Sequence, residues 1–279
     1  MRSEQVTQNR RTELEEIKRY VDHDGCLMEF LASALDDPVP VPCGKCMNCA
    51  RQTKRQPVPA ELIHSAVEFL RGDSVLIEAR RQWPSTAIVE LQRAMPAAVG
   101  MTKRGKAGIK IPRDLRAERG RALCIYGDAG WGRKVAQCKY GGGHISDELV
   151  RAAAALIRDG WQPDPFPEWI ACVPSNRQPI LVSDFARRLA VTLNLSFQPV
   201  IEKVRDTEPQ KLMENSAQQV RNLLQAFSVK RDILSAPVIL VDDVIDSGWT
   251  ATMIAALLRI NGSGPVFPFA LAKATAGDS

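Results

Sequence analysis

The sequence predicts an α/β protein whose largest part is a parallel sheet with crossover helices. In the C-terminal half, short apolar runs typical of buried strands occur at 169–173, 199–203, 238–241 and 266–271. Amphipathic segments typical of helices alternate with them, at 146–158, 183–193, 216–226 and 250–260. Alternation of strands and helices favours a parallel sheet, because parallel neighbours need a long crossover between them.

The chain divides on sequence grounds into three regions. Residues 1–56 have the apolar spacing of two helices, broken near Asp24-Gly25, followed by a cysteine-rich loop. Residues 57–114 form a basic connecting region with room for a small mixed α/β element, including a helix at 60–70 and a strand at 74–79. Residues 115–279 form the predicted α/β domain.

Composition narrows the class of protein. The 279 residues are 45% hydrophobic and 25% charged, which is typical of a globular domain, and there is no apolar run long enough to span a membrane. The first twenty residues are charged and lack the apolar core of a secretory signal. These features predict a cytoplasmic protein, in which the seven cysteines are not expected to form disulfides.

Positive charge is concentrated between Arg93 and Arg121. This stretch contains nine Lys or Arg residues and two acids, whereas the whole chain has a formal net charge of +5. Such a run is either a solvated face or the electrostatic footprint of a nucleic-acid site, and the sequence leaves both interpretations open. If DNA is a partner, its expected contacts in this stretch are Lys103, Arg104, Lys106 and Lys110.

Four of the seven cysteines are close together near the N-terminus. Cys43, Cys46 and Cys49 are separated by two residues each, and Cys26 precedes them. Four thiolates in a reducing compartment predict a tetrahedral structural zinc site with no open position for catalysis. The alternatives are an iron–sulfur cluster and four unrelated buried cysteines. His23, although close in sequence, is expected to be a surface residue rather than a ligand.

The N-terminal pattern resembles the zinc-binding subdomain of RecQ-family DNA helicases. The likeness covers residues 10–49, with the segment "YVDHDGCLMEFL" around the first cysteine and "CGKCMNC" closing the site. It implies a role in folding and DNA binding beside two motor domains. Those motor domains are missing from this chain, since the near P-loop "GMTKRGKA" has Ala107 where a magnesium-binding hydroxyl is needed.

A second motif, "VILVDDVIDSGWT", runs from Val238 to Thr250. Four apolar residues lead into Asp242 and Asp243, and a loop of small residues then enters a helix. Main-chain N–H groups at a helix start, with nearby hydroxyls, form a phosphate cradle. Two acids beside such a cradle repel an anion unless they bind ribose hydroxyls or the hydration shell of magnesium. A sugar phosphate satisfies both halves of the motif.

This motif resembles the phosphoribosyl-pyrophosphate signature of the type I phosphoribosyltransferases. The resemblance implies that Asp242 and Asp243 form the catalytic pair that holds the ribose hydroxyls, and that Mg²⁺ accompanies the ligand. It further implies a 5′-phosphate site at Asp246, Ser247, Gly248, Trp249 and Thr250, and a pyrophosphate site at Ser175, Asn176 and Arg177 in "ACVPSNR".

Further segments are similar to the ComF-like branch of that family. They are "YGDAGWGRKVAQCKYGG" and the stretch that contains Gln210, Arg221, Asn222 and Phe227, so that the likeness spans residues 115–274. Lys139 and Lys203 are expected to be surface lysines rather than phosphate contacts. Nothing in the sequence identifies the acceptor.

Taken together, the two resemblances imply the C-terminal part of a RecQ-like helicase or repair protein. It is expected to hold a structural Zn²⁺ and to bind phosphoribosyl pyrophosphate, or a nucleotide, with Mg²⁺. Phosphoribosyl transfer is one expected activity, and helicase activity requires a motor region supplied elsewhere. The alternative is a zinc-stabilised DNA-binding accessory module in which the phosphoribosyltransferase-like domain is not catalytic.

Overall fold

The computed structural model describes residues 2–50, 58–101, 108–141, 143–176, 178–208, 210, 213, 215–230 and 232–275. The chain divides into two compact units, Met1–Leu62 and Ile63–Ser279. The second unit thus includes most of the predicted connecting region. The division of the chain at residues 56 and 114 stays a prediction.

The first unit is built on a helical hairpin, as predicted. Helix α1 (Arg2–Val21) and helix α2 (Leu27–Ala34) are joined by a turn that contains Asp24 and Gly25. The rings of Tyr20 and Phe30 lie 5.7 Å apart and join the two helices. The hairpin is followed by the cysteine-rich loop.

The second unit contains a six-stranded, mostly parallel sheet. Its strand order is β1-β2-β8-β7-β3-β4. Among its described strands, only β1 is antiparallel to its neighbour. The bounds are β1 Val75–Ile77, β2 Gly120–Ile125, β3 Trp169–Cys172, β4 Ser196–Phe197, β7 Val238–Ile245 and β8 Val266–Lys273.

Helices cover both faces of this sheet. Along β7, Val238 and Leu240 pack in one apolar core, while Ile239 and Val241 pack in another. Burial on both faces explains the uninterrupted "VILV" run, because a strand with one wet face alternates apolar and polar residues. The helices are α3 Ala60–Gly72, α4 Ile88–Ala94, α5 Gly132–Tyr140, α6 Asp147–Ala155, α7 Leu181–Leu193, α8 Ser216–Leu223 and α9 Trp249–Ile260.

One predicted strand does not belong to the main sheet. Strand β5 (Ile201–Lys203) pairs antiparallel with β6 (Phe227–Val229) in a separate two-stranded sheet. The expectation that 199–203 contributes to the parallel sheet is therefore wrong. A short apolar run predicts a strand but does not determine its partner.

The predicted helices in this half are present with small shifts at their ends. Helix α6 is continued by a π-helical turn at Leu156–Trp161, and α9 begins one residue earlier than expected. The strand expected at 74–79 is β1, at the edge of the sheet. Within the described residues, no helix combines the length and the apolar character needed to cross a membrane.

Candidate functional site

The acidic pair lies in the last half of β7, which continues through Ile245. Parallel strands bring their C-terminal ends to one edge of a sheet, where α/β proteins bind ligands. The main-chain N–H of Asp243 donates to Asp242 Oδ1 at 2.8 Å, and that of Val244 donates to Asp243 Oδ1 at 2.7 Å. These hydrogen bonds hold both carboxyl groups close to the main chain of the strand.

Asp242 lies where a charged carboxyl group is unfavourable. Burial raises the pKa of Asp242 well above its ordinary value, and the neighbouring Asp243 carboxylate raises it further. A like charge at this distance disfavours ionisation of the second group. Asp242 therefore keeps its proton to a higher pH than an ordinary aspartic acid.

A lysine forms an ion pair with one of the two acids. Lys139 Nζ lies 2.8 Å from Asp243 Oδ2, and the two side chains are only 26% and 19% exposed. The expectation that Lys139 is a surface lysine is wrong, because α5 ends at the same edge of the sheet as β7 and brings the ammonium group to the acids. The second lysine, Lys203, lines the cavity described below.

The predicted phosphate-binding loop leads directly into α9. Gly248 has φ 79° and is the N-cap of this helix, with no side-chain capping bond. A left-handed φ suits glycine, which has no Cβ to clash with the following carbonyl. The first main-chain N–H groups of any helix have no intrahelical acceptor, so those at the start of α9 are available to an anion.

Trp249 does not fill the cradle. Its side chain is 3% exposed and stacks on Trp83, with ring centroids 6.0 Å apart. The bulk of this residue is thus accommodated in the protein core. Its predicted part in phosphate binding can only involve its main chain.

Arg80 secures the loop from the outside. Its Nε and Nη2 donate to the carbonyl oxygen of Ser247 at 3.0 and 2.5 Å, and its guanidinium lies 4.9 Å from the centre of the Trp249 ring. Sequence reasoning missed Arg80 and Trp83, since both follow β1 in a region without a recognisable motif. Arg80 and Trp83 line a second cavity of about 640 Å³, and residues 246–249 of the loop form part of its wall.

The predicted pyrophosphate residues follow β3. Ser175 Oγ accepts from the main-chain N–H of Gln178 at 3.3 Å, and the Asn176 amide hydrogen-bonds Asp206. Arg177 lies outside the described residues.

One cavity of about 280 Å³ brings some of these groups together, whereas residues 246–249 of the predicted phosphate-binding loop line the other cavity. It is lined by Asp242, Asp243 and Thr250 from one side and by Ser175 and Asn176 from another. Its remaining wall comes from the region around the small β5–β6 sheet, including Gln210 and Phe227. The segment after β3 and the acidic pair of β7 therefore meet at one site, together with Thr250 of α9.

Two other ComF-like positions are structural rather than part of the cavity. Arg221 forms an ion pair with Glu90 at 2.9 Å. The Asn222 side chain accepts from the N–H of Glu208 at 3.1 Å and donates to the carbonyl of the same residue at 2.8 Å. Both residues thus fix the segment that precedes β6 against its surroundings.

In the first unit, the four cysteine sulfurs converge. The Sγ atoms of Cys26, Cys43, Cys46 and Cys49 all lie within 4.8 Å of one another, and the Cys26–Cys46 distance is 3.9 Å. Thiolates about 2.3 Å from a tetrahedral zinc lie about 3.8 Å apart, so this arrangement fits zinc. His23 is not a member of the group, and its ring packs on Phe30.

Main-chain N–H groups support the cysteine cluster. Those of Glu29 and Cys43 donate to Cys26 Sγ at 3.4 and 3.2 Å, and that of Cys49 donates to Cys46 Sγ at 3.4 Å. The last of these bonds is the main reason that the pKa of Cys46 is lowered to about 6. Such donors favour the thiolate form that binds metal.

The pKa of Cys49 is shifted in the opposite direction to that of Cys46. Gly44 and Asn48 determine the conformation of the loop. Side-chain hydrogen bonding to Cys26 raises the pKa of Cys49 to about 12, so protons are shared unequally among the four thiols. Gly44 has φ 66°, and the Asn48 amide donates to the carbonyl oxygens of His23 and Gly25 at 2.6 and 2.8 Å. The loop is thereby held against the turn between α1 and α2.

The remaining cysteines and basic residues are outside these sites. Cys124 and Cys172 are buried, and burial raises the pKa of their thiols to about 12 and about 11. Of the predicted DNA contacts, Lys110 is exposed and pairs through its main chain with Gln82. The others, Lys103, Arg104 and Lys106, lie outside the described residues.

By fold and site, the second unit is an α/β protein in which an acidic pair on β7 is followed by a helix that begins after a glycine with a left-handed φ. No protein-family model matches the sequence, and a search of curated proteins gives no match. Among solved structures, the chain is similar to a purine phosphoribosyltransferase from Pyrococcus horikoshii, with 15% identity, 47% of this chain and 86% of that chain covered, and a TM-score of 0.31.

Two further solved structures show the same degree of similarity. Orotate phosphoribosyltransferase from Aeropyrum pernix has 15% identity, with 67% of this chain and 80% of that chain covered and a TM-score of 0.31. The allosteric regulatory enzyme of purine biosynthesis has 18% identity and a TM-score of 0.32, and the match covers 44% of this chain and only 25% of that enzyme. Similarity of this size does not define a function, which must be argued from the site itself.

Proposed function

We propose that the second unit carries a phosphoribosyltransferase-type site, which binds phosphoribosyl pyrophosphate or a nucleotide together with Mg²⁺. The observation that carries the proposal is the shared cavity, in which Asp242 and Asp243 lie close to Thr250 at the start of α9. Carboxyl oxygens are suitable partners for a ribose diol, and free helix-terminal N–H groups are suitable partners for its 5′-phosphate. A single sugar phosphate can engage both.

Residues on the far side of the cavity complete the proposed site. Ser175 and Asn176 follow β3 and supply polar groups where pyrophosphate would lie. Mg²⁺ prefers oxygen ligands and keeps much of its water, which fits a site with two carboxyl groups and a phosphorylated ligand. When bound, it would neutralise charge on the leaving pyrophosphate.

If the site is catalytic, the reaction is displacement of pyrophosphate from C1 of the ribose by an incoming nucleophile. The C1–pyrophosphate bond breaks through an oxocarbenium-like state as the bond to the nucleophile forms. The protein contributes by holding the ribose and both phosphate ends in position, and by opposing their charges. A ligand-binding module without turnover uses the same contacts.

Calorimetry with phosphoribosyl pyrophosphate and Mg²⁺ tests the proposal. We expect binding by the native chain and a loss of at least about tenfold in affinity, or about 1.4 kcal/mol, in Asp242→Asn/Asp243→Asn. Glu202→Gln is a matched control, since this carboxylate is exposed on β5 and pairs with Lys230. The proposal fails if millimolar ligand gives no signal, or if the double variant binds as tightly as the native chain.

A second proposal, the DNA-binding accessory role, is supported by the RecQ-like N-terminal pattern and by the exposed Lys110. Neutralising Lys103, Arg104, Lys106 and Lys110 together should then weaken DNA binding and lower its dependence on salt, because fewer counterions are released. Fluorescence anisotropy with a labelled duplex across a salt series makes this measurement. Equal affinity and equal salt dependence in the quadruple variant would exclude this basic segment as the DNA contact.

A further inference from the structure

The ion pair between Lys139 and Asp243 lies at the proposed ligand site, because Asp243 lines the 280 Å³ cavity. Lys139 is in the last turn of α5, and its ammonium contacts Asp243 at 2.8 Å. Its own carbonyl oxygen accepts from the Gln178 side chain at 2.9 Å, and the N–H of Gln178 in turn donates to Ser175. Lys139 is thus fixed between the acidic pair and the loop after β3.

The charges around the acidic pair are partly offset without any bound ion, and the cavity is also lined by Lys203 and Glu208, which carry opposite charges. Two carboxyl groups alone would repel a sugar phosphate, since unit charges about 4 Å apart interact by about 4 kcal/mol at the effective dielectric of a protein surface. One ammonium in direct contact with Asp243 offsets one of these charges. The other carboxyl group, Asp242, has a pKa raised by burial and by its neighbour.

We propose that Lys139 is a built-in counter-charge of this site, which holds Asp243 in place of a divalent cation and permits an anionic sugar phosphate to bind without one. The inference rests on the proposed function for its ligand. Lys139 and a divalent cation then compete for the same carboxylate. Mg²⁺ strengthens ligand binding in the native chain but is not essential for it.

Divalent-cation binding provides a test that needs no sugar phosphate. In Lys139→Gln the carboxylate of Asp243 is released, so Mn²⁺ measured by electron paramagnetic resonance should bind about tenfold more tightly than to the native chain. Lys139→Arg, which keeps the charge, should leave Mn²⁺ affinity near the native value. Lys134→Gln is the control, because Lys134 is on the same helix but pairs with Glu148.

Ligand binding provides the second arm. In EDTA, we expect phosphoribosyl pyrophosphate to bind Lys139→Gln about tenfold more weakly than the native chain, and Mg²⁺ to restore most of that loss. Lys139→Arg should bind in EDTA like the native chain, and circular dichroism should show that all variants are folded.

The Mn²⁺ and ligand measurements together distinguish a failure of the counter-charge role from a failure of the proposed function. Unchanged Mn²⁺ affinity in Lys139→Gln overturns the inference, as does native-like ligand binding by this variant in EDTA. If Mn²⁺ affinity rises but no variant, nor the native chain, binds phosphoribosyl pyrophosphate, the counter-charge role is supported and the proposed function fails.

Discussion

Asp242 lies in a place that is unfavourable for a charged carboxyl group. Its carboxyl group is held in the second half of β7, next to a second carboxylate, and its pKa is raised by burial and then by Asp243. A raised pKa means that the folded chain binds this proton more tightly than the unfolded chain. The associated stability is therefore full below the unfolded pKa and is lost as pH rises through the folded pKa.

Because this stability is lost as pH rises, it leads to a prediction for Asp242→Asn. The variant should have a higher melting temperature than the native chain at pH 7, by roughly 2–4 °C for each kcal/mol relieved, and the difference should vanish near pH 4. Thermal unfolding followed by circular dichroism across this pH range checks it. Asp243→Asn should show no such gain, because it leaves Lys139 without its partner. A melting temperature for Asp242→Asn at or below the native value at pH 7 contradicts the prediction.

Arg80 is predicted to hold the loop 246–250, the proposed phosphate site, in position. Arg80→Ala removes two hydrogen bonds to the Ser247 carbonyl and the contact with Trp249, and we expect a loss of about 1 kcal/mol in the free energy of unfolding. Affinity for phosphoribosyl pyrophosphate should fall as well, because the loop loses part of its support. Urea unfolding and calorimetry measure the two effects.

The neighbouring residue gives a matched control for Arg80. Arg81 is also an exposed arginine at the rim of the 640 Å³ cavity, and Arg81→Ala should leave both quantities close to native. Equal effects of the two substitutions would show that Arg80 has no special relation to the loop.

At the scale of secondary structure elements, the site depends on how α9 begins. Its N-cap is a glycine with φ 79°, and a Cβ placed on Gly248 would meet no atom within 4 Å. A side chain at this position therefore costs free energy because of the left-handed backbone conformation, and not because it would clash with neighbouring atoms. A non-glycine residue in the left-handed region costs about 1–2 kcal/mol.

Gly248→Ala should thus lower the free energy of unfolding by about 1 kcal/mol and weaken binding of the sugar phosphate, since it disturbs the N–H groups at the helix start. Gly262 gives the control from the other end of the same helix, because it has φ 97° and a Cβ added to it would also meet no atom within 4 Å. Gly262→Ala should cost similar stability without changing affinity. Equal losses of affinity in both variants would mean that the start of α9 has no direct part in binding.

How far the sequence predicts this site depends on the range of the interactions. Local patterns were sufficient for α9 and the cysteine loop, because helix starts and the CxxCxxC spacing are encoded within a few residues. For β7 they predicted only residues 238–241, whereas the strand continues to Ile245, so that the acidic pair lies within it. The ion pair between Lys139 and Asp243 was missed, since it joins residues far apart in sequence through the parallel pairing of β2, β8 and β7. Arg80 and Trp83 were missed for the same reason.

Topology was also only partly accessible from the sequence. The run at 199–203 has the composition of a strand, but its antiparallel partner β6 lies more than twenty residues further along. Helix α5 lies within the ComF-like segment at 126–142, whereas strand β2, which precedes that segment, was not predicted. Tertiary pairing decides such cases, and single-strand patterns do not contain it.

At the scale of the whole molecule, the chain combines a helical unit that contains a four-cysteine cluster with an α/β unit. The first unit is small, and its helix α2 has no buried residue, so a metal is expected to supply much of its stability. We predict one zinc per chain by elemental analysis. Its removal by a chelator should lower the helical signal in circular dichroism.

Thiol reactivity distinguishes zinc release from general unfolding. Chelation should expose four additional reactive thiols, whereas Cys124 and Cys172 should stay unreactive because they are buried and their pKa values are raised to about 12 and about 11. Titration with a thiol reagent counts these groups. A structural zinc site is contradicted if the four cluster thiols already react before chelation, or if no zinc is bound.

The central claim is that the acidic pair and the start of α9 bind opposite parts of one sugar phosphate. A crystal structure with phosphoribosyl pyrophosphate and Mg²⁺ tests it most directly. We predict ribose hydroxyls at Asp242 and Asp243, and the 5′-phosphate at the main-chain N–H groups of residues 246–250. Ligand density elsewhere, or an acidic pair that stays closed against Lys139 while the ligand binds at another surface, would contradict the account.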